Sequence, residues 1–177
     1  MSRAQANLLL RADRAITAWA VAHRTADLTR TMKDLTLLGS WPAYLSVATA
    51  ALITAAGGQA QYGIIALISF AAGQGVRLAA NLLIRRSRPR SRDQLVKARF
   101  HSFPSGHTAA AALGYGTTAW LIWLANPLAG LIAATAAIVF TLAVGLSRVY
   151  LGVHWSTDVA VSIVYSATWI ALTLLWA

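Results

Sequence analysis

The chain has 177 residues, enough for one domain, and 58% of them are apolar with a mean hydropathy of +0.59, which is too greasy for an ordinary soluble protein and favours a membrane class. Fifteen Lys and Arg face five Asp and no Glu, a net charge of +10 that suits an anionic partner such as phosphate or acidic headgroups; no nucleic-acid motif is present, so nucleic acid is set aside. There is no cysteine, which excludes disulfides and thiolate metal sites.

The first apolar run, Leu8-Leu9-Leu10, is broken at once by Arg11, Asp13 and Arg14, so no cleavable signal sequence is expected. Within 1–34, Leu9, Ile16, Trp19 and Ala20 can share one helical face, with Arg11, Asp13, Arg14 and Arg24 elsewhere. That pattern predicts an amphipathic helix lying at the membrane interface; a plain solvated helix would share it. Five apolar segments follow, at 35–56, 62–84, 106–124, 128–147 and 158–177. Each is near the length of about 20 residues that a bilayer core requires. Trp41, Trp120, Trp123, Trp169 and Trp176 lie toward segment ends, as an interfacial aromatic belt would. Connections are short at Gly57-Gly58 and Asn126-Pro127, and the one long loop, 85–105, is rich in Arg, which marks it as functional. The expected fold is all-α: a multi-pass transmembrane helix bundle of about five spans plus the N-terminal amphipathic helix, one domain over 1–177. No repeat is present.

With five spans, the N-terminal segment, the 85–105 loop and the 148–157 loop share one membrane face, which carries nearly every charge. The positive-inside rule places that face in the cytoplasm. Basic residues recruited to hold phosphate do not report topology, however, so the side stays open. Oligomeric state is not legible either.

Three motifs sit at the ends of these segments. The first is Arg88-Pro89, within a run that also holds Arg85, Arg86, Arg90 and Arg92. Most of such a run is normally a headgroup-facing surface, and Arg88 alone is singled out as a phosphate ligand. The second is Pro104-Ser105-Gly106-His107. Ser105 can cap the helix that follows, Gly106 lets the backbone approach an oxyanion, the free N–H groups of the first turn attract phosphate, and His107 is placed to donate a proton. A simple capped helix start would look the same. The third is Ser147-Arg148, five residues, His154, three residues, Asp158. With Ser156 or Thr157 as N-cap of the last span, Asp158 falls in its first turn and can accept the Nδ1 proton of His154, leaving Nε2 free as a nucleophile toward phosphorus. A structural His–Asp pair at a helix end is the competing reading. Arg148 ends an apolar span, where its fork can bind two phosphate oxygens or snorkel to the interface. His101 is given no role, and His23 is expected at the surface.

Together these motifs resemble the signature of the type 2 phosphatidic acid phosphatase (PAP2) superfamily, whose pattern is lysine, six residues, Arg-Pro; then Pro-Ser-Gly-His; then Ser-Arg, five residues, His, three residues, Asp. The second and third motifs match in full, and the pattern covers roughly residues 81–158. The resemblance implies a membrane phosphatase acting on a lipid-linked phosphate: His154 as nucleophile forming a phosphohistidine, Asp158 orienting it, His107 protonating the leaving group, and Arg88, Ser105, Gly106 N–H and Arg148 holding the phosphoryl group. No metal or other cofactor is implied, because guanidinium and backbone donors supply the positive potential. By the same resemblance, candidate substrates are polyprenyl pyrophosphate, phosphatidate, phosphatidylglycerol phosphate and lipid A phosphates, in a bacterial cytoplasmic membrane. The departure is Asn81, where the family has lysine: as a substrate ligand its neutral amide can hydrogen-bond phosphate but carries no charge, which weakens the first motif. Arg77 lies one turn earlier on the same face and is expected to compensate by reaching the site. A phosphotransferase using the same histidine, or a non-catalytic lipid-phosphate-binding protein, are the alternatives; a vanadate-dependent oxidase or a transporter fits the small size and the one-sided polar cluster less well.

Overall fold

The computed structural model describes residues 3–177, and among these the chain is all helical, with no strand. Seven α-helices follow one another: α1 (Arg3–Ala22), α2 (Ala26–Leu37), α3 (Trp41–Ala56), α4 (Ala60–Ile84), α5 (Gly106–Ala125), α6 (Pro127–Tyr150) and α7 (Ser156–Trp176), with one 3-10 turn at Ser91–Asp93. Local chemistry sets the boundaries. Thr25 caps α2 by accepting from Leu28 N at 3.2 Å. Asn126 caps α6 by accepting from Ala129 N at 3.0 Å, and Pro127 takes the first helical position, where its missing N–H is harmless. Helix α4 ends where Arg85 turns left-handed at φ 50°.

Four helical stretches are long and apolar enough to cross a membrane among the described residues: Ala26–Ala56, α4, α6 and α7. They turn Leu45, Leu52 and Ile53, then Ile64, Ile68 and Leu83, then Leu131, Ile132 and Ile138, and Val164 and Leu175 outward. Apolar exposure on that scale belongs against lipid, and the protein is an integral membrane protein. The expectation of about five spans fits, with two changes of detail. The segment predicted at 35–56 is the apolar C-terminal part of a longer helical stretch, Ala26–Ala56, whose first helix α2 carries Asp27, Arg30, Lys33 and Asp34 and is set off from α3 by a break at residues 38–40. The segment predicted at 106–124 forms α5, which is less apolar than those four because it carries His107, three glycines and three threonines, and which lies at the centre of the bundle. It packs against α3, α4, α6 and α7, and its small Ala109, Ala110, Ala111 and Gly114 are buried beside Thr108 and Thr117. Polar hydroxyls are tolerated on a helix that faces protein on most sides. Trp169, expected in an interfacial belt, instead packs with Val47, Phe70 and Leu113 and donates to Ser69 O at 3.0 Å.

Helix α1 also differs from its expected packing. Leu9, Ile16 and Trp19 are exposed as an interfacial face requires, but Ala20 is buried with Asp13 and Thr17 on an adjoining stripe of the helix. The face that docks on the bundle, against α6 and α7, is therefore the one that carries a carboxylate. Arg24, just beyond α1, donates to Tyr150 O at 2.7 Å and Asp93 O at 2.8 Å, tying the N-terminal segment, the 85–105 loop and the end of α6 together. The charged segments thus gather at one end of the bundle, as the charge pattern predicts.

Candidate active site

At that end lies a cavity of about 650 Å³, lined by residues from the α2–α3 turn, α4, the 85–105 loop, the start of α5, the end of α6 and the turn before α7. His154, His107, Arg77, Arg88, Arg148, Asn81 and Gly106 all line it, with Lys97, Arg99 and His101.

His154 sits in the turn between α6 and α7. The turn is possible because Gly152 adopts φ +73°, and a Cβ there would stand 2.3 Å from Asp93 O. Val153 N and His154 N both donate to Arg148 O, at 3.2 and 3.3 Å, so the backbone that presents His154 winds directly off Arg148. The imidazole is buried, with Nδ1 2.6 Å from Ser102 O. A carbonyl can only accept, so Nδ1 carries the proton and Nε2 is the bare nitrogen, accepting from Arg88 Nη1 at 3.2 Å. The tautomer is the expected one, but its immediate partner is not. Asp158 Oδ2 stands 3.7 Å from Nδ1, a charge contact rather than a hydrogen bond, because Ser102 is interposed: its carbonyl takes the imidazole proton and its hydroxyl donates to Asp158 Oδ2. Burial, partly offset by Asp158 and reinforced by Arg148 and Arg88, lowers the His154 pKa to about 4. The ring is therefore neutral at neutral pH.

Asp158 lies fully buried in the first turn of α7, where the helix N-terminus favours a negative charge. Oδ2 also accepts from Trp155 N at 2.9 Å, and Oδ1 accepts from Arg86 Nη1 at 2.5 Å. Ser156 and Thr157 do not cap the helix as expected; Trp155 holds that position. Their side chains turn instead to Asp13 of α1, which accepts from Ser156 Oγ at 2.6 Å, Thr157 Oγ1 at 2.6 Å and Thr157 N at 2.9 Å. Arg86 Nη2 donates to the same carboxylate at 2.7 Å. Burial alone would raise the Asp13 pKa, but these donors from Ser156, Thr157 and Arg86 hold it below the usual carboxylate value.

The remaining predicted residues divide by what their polar atoms do. Arg88 is a clamp as well as a lining residue: it donates to the carbonyls of Arg99 at 2.7 Å, His101 at 2.9 Å, Phe100 at 3.3 Å and Val153 at 2.5 Å. Burial lowers its pKa, and Asp158 opposes that. Arg148 is buried, donates to Thr36 Oγ1 at 2.9 Å and has no partner for Nε. Arg77 Nε likewise has no partner, and its guanidinium lies over Gly106, where a Cβ would come 3.3 Å from Nη1. Asn81 is spent on the loop: Nδ2 donates to His101 O and Phe103 O, both at 2.9 Å, and Oδ1 accepts from His101 N at 3.2 Å. Ser105 is buried outside the cavity lining, with its hydroxyl 2.9 Å from Thr108 Oγ1 and no side-chain cap bond to the α5 backbone. Its expected capping bond is absent because Thr108 lies one turn along and takes the hydroxyl. His23 is at the surface, stacked on Trp19. Ser102, Arg86, Asp13 and Thr36 are the contributors that sequence reasoning missed; only the arginine run around 85–92 drew attention to any of them. Among the described residues no group of three or more His, Asp or Glu side chains converges as a metal site would require.

The PAP2 superfamily model matches residues 62–177, which include all three motifs. This chain belongs to the PAP2 superfamily. Its fold is similar to the crystal structure of a transmembrane PAP2-type phosphatidylglycerolphosphate phosphatase from Bacillus subtilis, with 28% identity and a TM-score of 0.85, covering 96% of this chain and 86% of that one. It is also similar to that of Aquifex aeolicus LpxE, with 18% identity and a TM-score of 0.71 over 90% of this chain and 93% of the other. No curated protein sequence matches it. Within the PAP2 pattern, the position of the family lysine is the loop staple Asn81, and the neighbouring cation turned to the cavity is Arg77.

Proposed function

We propose that this PAP2 protein is a metal-independent phosphatase that hydrolyses a lipid-linked phosphate monoester or diphosphate through a phosphohistidine on His154, with residues 1–177 acting as one unit in a bacterial cytoplasmic membrane. The observation that carries this reading is a neutral, Nδ1-protonated His154 whose Nε2 carries no proton and touches only Arg88 Nη1, at a cavity that His154 lines together with Arg77, Arg88 and Arg148. Nε2 attacks phosphorus in line, an N–P bond forms, and the P–O bond to the lipid breaks. His107, in the first turn of α5, takes up a proton as the anionic phosphate enters among the arginines and gives it to the departing oxygen. Water then attacks phosphorus, His107 takes its proton, the N–P bond breaks, and phosphate leaves with His154 neutral again. Asp158 and Ser102 stabilise the positive ring through both halves.

The arginines carry the charge of the transferring group. Arg148 presents Nε, and Arg77 occupies the role that lysine holds elsewhere in the family, with Gly106 N–H as a backbone donor. Ser105 serves by fixing the start of α5 rather than by touching phosphate. The similar Bacillus subtilis enzyme makes phosphatidylglycerol phosphate the first candidate; polyprenyl pyrophosphate, phosphatidate and lipid A phosphates complete the panel. The test is phosphate release from that panel by detergent-solubilised protein with chelator present. Release that persists under chelator and disappears in His154→Ala is expected; release that needs a divalent metal, or survives in His154→Ala, contradicts the reading.

A further inference from the structure

Two carboxylates are almost completely removed from solvent at the charged end of the bundle, Asp13 at 1% and Asp158 at 0% exposure, and one guanidinium joins them. Arg86 Nη1 pairs with Asp158 at 2.5 Å and Nη2 pairs with Asp13 at 2.7 Å. Among the described residues the other Arg–Asp contacts are long, Arg30–Asp27 at 3.4 Å with both side chains exposed and Arg92–Asp93 at 3.9 Å with the arginine exposed. We propose that Asp13 and Arg86 are positioning residues of this active centre: the Asp13–Arg86–Asp158 bridge fixes the carboxylate that faces His154, so the N-terminal helix is a working part of the site. The inference rests on the phosphatase reading above and goes beyond it, since neither residue lies in the three motifs or lines the cavity.

The geometry carries this in three ways. A fork with both arms on carboxylates has one orientation, and that orientation sets the rotation of Asp158 about its own side chain. Asp13 holds the other end from a separate helix and at the same time binds Ser156 Oγ and Thr157 N, so it fixes the first turn of α7 in which Asp158 sits. The indole of Trp155 lies 5.8 Å from the guanidinium and covers it. The bridge also sets charge: without Arg86, two buried carboxylates would face each other unscreened, and with it the pair carries one net negative charge toward the His154 ring.

Neither variant strips the remaining carboxylate bare. Asp158 keeps Ser102 Oγ and Trp155 N when Arg86 is replaced, and when Asp13 becomes Asn it keeps Arg86 as well, whose Nη1 also still donates to Thr157 Oγ1. The experiment measures kcat, KM and the pH profile of kcat/KM for full-length wild type, Arg86→Gln, Asp13→Asn and the double variant, in detergent on phosphatidylglycerol phosphate, with His154→Ala as blank and thermal melting to count folded protein. Arg86→Gln is expected to lower kcat about ten- to hundred-fold, the size seen when the partner that orients a functional side chain is lost, with KM little changed. Asp13→Asn lowers kcat less, and the double variant loses less than the two single losses multiplied together, because Asp13 acts largely through Arg86.

The acid limbs should move in opposite directions. The groups facing His154 are Arg88 and Ser102 from the long loop, His107 from α5, Arg148 from α6 and Asp158 from α7, and all are common to the variants. Removing the positive Arg86 raises the proton affinity of His154 and moves the limb to higher pH; removing the negative Asp13 moves it lower. A merely structural anchor would shift neither limb in this paired way. Arg86→Lys stands in if the Gln variant does not fold: it keeps the charge but not the fork, so kcat falls while the limb stays. Unchanged kcat in folded variants, a change confined to KM, or additive losses in the double variant would overturn the proposal while leaving the phosphatase reading intact. A wild type that releases phosphate from no member of the lipid panel would overturn that reading and this proposal with it.

Discussion

On the α7 side of the cavity the polar side chains are partnered within the protein: His154 with Ser102 and Arg88, Asp158 with Ser102, Trp155 and Arg86, and Asp13 with Ser156, Thr157 and Arg86. On the α4 and α6 side, Arg77 and Arg148 each bury an Nε with no partner at all. A buried donor left without an acceptor costs about 1–3 kcal/mol, more if charged, and such a cost persists where a ligand is meant to supply the acceptor. The difference teaches a division of labour. One wall holds the nucleophile in a single tautomer and orientation before substrate arrives; the other is an unsatisfied cationic seat completed by the phosphoryl group.

Variants that act on one wall should therefore differ in kind from those that act on the other. His107→Ala, which removes the proton donor, is expected to lower kcat/KM, which reports the phosphorylation half alone, by about 10²–10⁴-fold on a lipid substrate and by much less on an aryl phosphate, whose leaving oxygen needs no proton. Equal losses on both substrates would remove His107 from that role. Arg77→Ala touches only the seat. Losing one charge-assisted hydrogen bond worth about 1.5–3 kcal/mol should lower kcat/KM about ten- to hundred-fold without altering the acid limb of the pH profile. An Arg77→Ala variant with wild-type kcat/KM would mean that the seat is built without it.

Asn81→Lys sharpens the comparison from the opposite direction, because it restores the family residue at its family position. The side chain there is committed to three hydrogen bonds with the 101–103 segment. The expected result is a less stable protein, by about 2–3 kcal/mol at roughly 1 kcal/mol per bond, with no gain in activity. A Lys variant that melts at the wild-type temperature and hydrolyses faster would show that the seat has room for both cations. The smallest effect concerns pH. Only neutral His154 can attack, and burial first, with Arg148 and Arg88, lowers its pKa to about 4. The free-enzyme acid limb, read from kcat/KM, should then fall as pH approaches 4 rather than 6.5, and His154 ionisation should change kcat/KM less than about two-fold between pH 5 and 8. A limb centred near 6.5 would mean that the ring is solvated.

The parts of this account legible in the sequence are those set by local pattern. Run length and hydropathy located the apolar segments, and spacing placed His107 and Asp158 in first turns of α5 and α7 and Arg148 in the last turn of α6. What escaped depends on contacts between distant segments. Asp13 reads as one charge among several on an amphipathic helix, and only the docking of α1 on α6 and α7 reveals it as the buried partner of Arg86. Ser102 has no periodic or motif signal, yet it stands between His154 and Asp158 because the 85–105 loop folds back under α7. Asn81 read as a weakened ligand; its amide is instead occupied by loop backbone that periodicity cannot place. Helix α5 has the length of a span, and its glycines and threonines already make it less apolar than the other four; its central place follows from packing against α3, α4, α6 and α7, which run length does not show.

The central claim is that the phosphoryl group passes through Nε2 of His154. The direct measurement is an alkaline quench of the full-length protein during turnover of a lipid labelled at its terminal phosphate, followed by mapping of the label on the chain. A phosphoramidate resists alkali and is cleaved by acid. The account predicts acid-labile label on His154, accumulating before phosphate release and absent from His154→Ala. Rapid turnover with no label on the chain, or label on another residue that persists in His154→Ala, would contradict it.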